Sequence, residues 1–73
     1  MNWKEEAKKH FLKCKPAEGC GLLAERGGNE FFYPCKNIAS HVQDDITFAI
    51  DPLDFAACED SGADILAVIH SHV

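Results

Sequence analysis

Apolar and polar positions alternate along this chain with periods that change from segment to segment. In residues 2–14, Trp3, Ala7, Phe11 and Cys14 fall at intervals of four, four and three, the spacing of one helix face. Lysines and glutamates hold most of the other positions. Glu5 and Glu6 come early and Lys13 late, the order that the helix dipole favours. Pro16 ends the pattern, because proline pushes the residue before it out of the helical region. In residues 18–26, Gly19 and Gly21 stand among the apolar residues Cys20, Leu22, Leu23 and Ala24, which argues for a strand that another group approaches closely. Gly27-Gly28 supplies the positive φ angles of a tight hairpin, and Asn29–Tyr33 reads as the return strand, stopped by Pro34.

The second half is read the same way. Residues 36–45 are polar and aperiodic, hence a loop. Ile46-Thr47-Phe48-Ala49-Ile50 alternates as a half-buried strand. Asp51-Pro52 is an N-cap followed by a favoured first helical residue. It predicts a short helix from Pro52 to about Asp60 that buries Leu53, Ala56 and Ala57 with help from Phe55. Gly62 suits its C-terminal cap. The run Ile65-Leu66-Ala67-Val68-Ile69 is continuously apolar and rich in β-branched residues, as in a strand buried on both faces. The order of elements predicts one domain over residues 1–73, of α/β or α+β class, with a β-hairpin and helices layered on a sheet.

Composition narrows the function classes. Seven basic against twelve acidic residues give a formal charge of −5, which argues against nucleic acid as a partner. No stretch has the length or apolarity of a membrane span, and no secretion signal is visible, so a cytoplasmic protein without membrane partners is expected. Cys14, Cys20, Cys35 and Cys58 contain no C-x-x-C spacing and read as reduced thiols, mostly buried; two disulfides of a secreted mini-domain are the alternative.

The chemistry sits at the two ends of this pattern. His70 and His72 follow the last apolar run at i, i+2, so in a strand both imidazoles point to the same side, as metal ligands do. On spacing alone they suit surface histidines equally well. Glu18, just before the first strand and beside Gly19, reads either as a solvated carboxylate or as a base for a metal-bound water.

Four segments in order carry a further resemblance. They are Pro16-Ala17-Glu18-Gly19-Cys20-Gly21-Leu22-Leu23, Phe32-Tyr33-Pro34-Cys35-Lys36-Asn37-Ile38-Ala39, Phe48-Ala49-Ile50-Asp51-Pro52 and Ala67-Val68-Ile69-His70-Ser71-His72. Together they resemble the first part of a JAMM (JAB1/MPN-type) zinc metallopeptidase domain, in its prokaryotic and phage-tail-assembly branch, over residues 16–73. The resemblance implies a partial MPN/JAMM-like mixed sheet. It implies Glu18 as general acid/base, His70 and His72 as zinc ligands, and hydrolysis of amide or isopeptide bonds in a peptide or protein substrate. Val73 stands where the family usually has proline. The family's serine and its aspartate, the third zinc ligand, come later than Val73. On this reading the domain is truncated, its zinc site is weak or incomplete, and the isolated chain is inactive. The alternative is a non-catalytic assembly module that self-associates through an unpaired sheet edge at Ile65–Ile69.

Overall fold

The computed structural model describes residues 2–39 and 48–71. Helix α1 spans Trp3–Cys14, strand β1 Cys20–Arg26, strand β2 Asn29–Cys35, helix α2 Pro52–Asp60 and strand β3 Asp64–His70. The fold is α+β, as expected. Among the described residues no helix is long and apolar enough to cross a membrane. The described strands form one sheet in the order β2-β1-β3, with β1 central. Both pairings are antiparallel, so the expected mixed sheet is replaced by an antiparallel one among the described strands.

Local chemistry accounts for each element. The Asn2 side chain accepts a hydrogen bond from the backbone N–H of Lys4 (2.9 Å) and caps α1. Gly27 and Gly28 take φ of 59° and 82°, and the hairpin closes with Arg26 opposite Asn29. Counting alternately from that turn places Pro34 at a non-hydrogen-bonded position of an edge strand, where its missing N–H costs nothing. Strand β2 therefore continues to Cys35 rather than stopping at Pro34. The Asp51 side chain accepts from Leu53 N–H (2.9 Å), Pro52 starts α2, and Gly62 at φ 87° follows its end.

The two faces of the sheet are covered by different helices. Cys20, Leu22 and Ala24 of β1 point to one face and form a core with Cys35, Cys58 of α2 and Ala63; Phe31, Tyr33, Phe55 and Ile65 pack around it. On the other face Gly21 lies under the ring of Phe32: a Cβ there would come within 2.3 Å of Phe32 Cζ and 2.6 Å of Tyr33 O. Phe32 in turn meets Phe11 of α1 edge-on, at 5.8 Å between centroids. Gly19 is approached just as closely, by Phe11. The close approach inferred from the glycines of β1 is thus made by the aromatic rings of α1 and β2.

Three expectations are corrected. Helix α2 turns Cys58 inward, with Phe55 half-buried, while Leu53, Ala56 and Ala57 are exposed. Apolar residues surround this helix on all sides, so no stripe marks its inner face. Of the expected strand 46–50, residues 46–47 lie outside the described residues. Phe48 and Ala49 are not in a strand, and Ile50 makes an isolated bridge to Asn37. There the Asn37 side-chain oxygen accepts from both Ala39 N–H and Ala49 N–H (3.0 Å each), replacing ladder bonds. Finally, β3 is not buried on both faces. Among the described strands it lies at the sheet edge, and Leu66 and Val68 are 48% and 49% exposed. A register shift between Leu23 and Ala24 leaves Leu66 without a counterpart on β1.

Candidate functional site

The site forms where the start of β1 meets the end of β3. Cys20 lies opposite His70, and the pairing runs one step past both strands. Ser71 N–H donates to Gly19 O (3.0 Å), and Gly19 N–H donates to the Ser71 hydroxyl (2.9 Å). The residue before Gly19 is thereby brought to His70. Glu18 Oε1 is 3.1 Å from His70 Nδ1, across 52 residues of sequence. Asn37 Nδ2 donates to the Glu18 carbonyl (2.9 Å), tying the same point to the segment after β2. The ring of Phe48 stacks on His70 at 4.1 Å and 16°. His70 therefore has a carboxylate at its edge and an aromatic plane on its face.

Two of the three residues singled out from the sequence, Glu18 and His70, meet directly. The third, His72, lies outside the described residues, as does His41. The Glu18 side chain is 10% exposed and that of His70 31%. A proton on Nδ1 would be donated to Glu18 and would put the ring's lone pair on Nε2. That is the tautomer of a metal-ligating histidine, with its other nitrogen held by a carboxylate. Among the described residues no three His, Cys, Asp or Glu side chains gather as a ligand group.

The buried thiols beside the site have a different part. Burial first, and then the neighbouring Cys14, Asp54 and Glu18, push Cys20 up from 9.0 to about 11. Burial, then Asp54, pushes Cys35 up to about 12. Cys58 is also raised, by burial, against a lowering by Arg26. All three stay protonated at neutral pH. Cys20 uses its S–H as a donor to Lys36 O (3.6 Å). An open cleft of about 610 Å³ runs past Glu18, between Asn37, Lys36 and Asp54, with His10 and Cys14 also at its wall.

The roles of Ser71, Asn37 and Phe48 do not show in the sequence. Each acts through a contact with a residue far along the chain, and no local pattern signals it. A serine between two histidines and a lone phenylalanine after a loop are ordinary by themselves.

The chain shows 37% identity over 57 residues to tail tip assembly protein K of Escherichia phage N15. The matched region is 78% of this chain and 22% of that protein, so the chain spans about a fifth of the relative's length. No family model matches the chain, and no solved structure matches it.

Proposed function

We propose that this chain carries the glutamate and histidine part of a zinc-dependent amide hydrolase site of the JAMM type, in a protein of the phage tail assembly class. The observation that carries the reading is the 3.1 Å contact between Glu18 and His70. The motifs that nominate these two residues as base and ligand lie 52 positions apart, and nothing in either motif requires their side chains to touch. The likeness to a tail tip assembly protein supports the branch.

His70 and His72 would hold the metal. Glu18 holds the His70 ring through Nδ1 in this arrangement; taking a proton from an attacking water, the role the resemblance implies for it, would need its carboxylate to turn from Nδ1 towards the metal side. Zinc, when bound, supplies a water acidic enough to be deprotonated near neutral pH. Phe48 shields one face of His70 from solvent, which strengthens the Glu18–His70 interaction.

Calorimetric titration of the chain with Zn2+ tests this. With Cys14→Ser as the background, so that no half-exposed thiol competes for the ion, binding tighter than ~1 mM is expected, abolished by His70→Ala and weakened ~10-fold by Glu18→Gln, the usual scale for an outer-shell partner. Because glutamine can still accept from Nδ1–H, Glu18→Gln should cost under ~1 kcal/mol in stability. Binding unchanged in His70→Ala would remove the basis of the proposal.

A second reading, a non-catalytic assembly module, draws on the relative's name and on β3. Among the described residues this strand pairs on one side only and exposes Leu66 and Val68. It expects a dimer or larger species in size-exclusion chromatography with light scattering. A monomer at ~0.5 mM, where even a weak edge pairing is populated, would count against it.

A further inference from the structure

We propose that His10 and Cys14 of α1 form a second, separate metal site, a two-donor chelate for a thiophilic divalent cation such as Zn2+ or Co2+. The two residues are one helical turn apart, so their side chains meet on the same face. His10 Nε2 lies 3.6 Å from Cys14 Sγ. A tetrahedral ion with a metal–sulfur distance of ~2.3 Å and a metal–nitrogen distance of ~2.0 Å sets its two donors ~3.5 Å apart. The donors therefore stand at the required bite without moving. Rings on two sides restrain His10: Phe32 at 5.7 Å and Phe11 at 6.1 Å. That restraint lowers the entropy lost on binding.

Three further observations favour a cation here. Cys14 is the half-exposed thiol of the chain; Cys20, Cys35 and Cys58 are buried. It is the last residue of α1, where the helix dipole is negative. Both donors line the open cleft shared with Glu18 and Asp54, whose carboxylates add negative potential and whose volume admits the waters that complete the shell. On binding, the Cys14 S–H proton passes to solvent as the metal–sulfur bond forms. His10 keeps its proton on Nδ1 and gives its Nε2 lone pair. The site does not depend on His70, so it stands or falls apart from the hydrolase reading.

Titration of the chain with Co2+ in a non-thiol reductant tests the site. The expected result is a near-ultraviolet thiolate-to-cobalt charge-transfer band that saturates with one thiolate-bound ion per chain. It should be absent in Cys14→Ser, at least ~10-fold weaker in His10→Gln and retained in His70→Ala. His10→Gln keeps most of the packing against Phe32, and circular dichroism melts verify each fold. Alkylation of Cys14 by iodoacetamide, followed by mass spectrometry, reads the same site with the native thiol in place. Saturating Zn2+ should slow it in the wild type and not in His10→Gln. A band that survives Cys14→Ser, a band lost in folded His70→Ala, or alkylation that ignores Zn2+ would overturn the proposal.

Discussion

The two ends of the central strand are closed in opposite ways. At Arg26, β1 turns into β2 through Gly27 and Gly28, which have nothing within 4 Å of where a Cβ would stand. Their positive φ angles alone make the turn. At Cys20 the strand end is tied by side chains from two distant segments: the Ser71 hydroxyl and the His70 ring at the end of β3, the latter against Glu18, and the Asn37 amide after β2. Gly19 and Gly21 there are crowded by Phe11, Cys14 and Phe32. The first end forms from four consecutive residues and is constrained only by its backbone angles. The second exists only once the whole sheet is assembled, and it is there that two chemically capable groups are held in contact. Fixing polar side chains on rigid strand ends is what a site needs, and the contrast locates the site independently of any motif.

The contrast is tested most strongly by adding one methyl group at each end. Gly21→Ala drives a Cβ into Phe32 and into the Tyr33 carbonyl, and the backbone oxygen cannot turn aside as a side chain can. A loss of ~3 kcal/mol is expected, at the upper end for overpacking. Gly28→Ala meets no atoms and suffers only its left-handed backbone, at ~1 kcal/mol. Urea unfolding of the two variants measures both. Equal losses would erase the distinction between the ends.

The next effect is alkaline. Cys20 and Cys35 face each other across β1 and β2 near the site end. Their folded values, about 11 and about 12, lie above the ordinary 9.0. A thiol raised in the folded state keeps its full contribution below pH 9. Above that the unfolded chain ionises first, so stability falls as pH rises towards 11 and 12. Each tenfold change in a thiol's proton affinity is worth ~1.4 kcal/mol at full effect. Water reaching the opened strand end, and the coupling of two adjacent thiols, reduce the expected loss between pH 8 and pH 11 to ~2 kcal/mol. Urea midpoints across that range measure it. Cys35→Ala should flatten the curve, whereas Gly28→Ala should only displace it. A Cys35→Ala curve as steep as wild type would show that these thiols do not couple the site end to pH.

The hairpin and the N-terminal helix were legible because their signals are local: a glycine pair between alternating residues, and a stripe at intervals of four, four and three. Gly19 and Gly21 even announced a close approach, though not that Phe11 and Phe32 make it. The inner face of α2 was not legible, since Leu53, Ala56 and Cys58 are all apolar and burial is decided by where Ala63 and Ile65 lead the chain. The run Ile65–Ile69 misled for a related reason. A strand buried on both faces and an edge strand with partial cover share one pattern, and only the position beside β1 separates them. His70 is nominated by its i, i+2 spacing with His72 after an apolar run and Glu18 by its place before β1, and the order of four motifs adds weight to both. Their contact depends on the Gly19–Ser71 pairing, which no local rule contains.

That pairing yields the smallest and most discriminating effect. Ser71→Ala removes the acceptor of the Gly19 N–H and leaves the backbone bond from Ser71 N–H to Gly19 O in place. The position is half-buried, so the loss should be ~1 kcal/mol, the net value of one hydrogen bond with some water entering. Its location matters more than its size. Amide hydrogen exchange should speed up at Gly19 and remain as in wild type at Asn29 beside the turn, because the two ends are held by separate sets of bonds. The freed Gly19 loosens Glu18 against His70, so Zn2+ affinity should fall with it, by less than in Glu18→Gln. If exchange rose equally at both ends, the strand would open as one unit and the side-chain closure at Gly19 would have no separate energetic meaning.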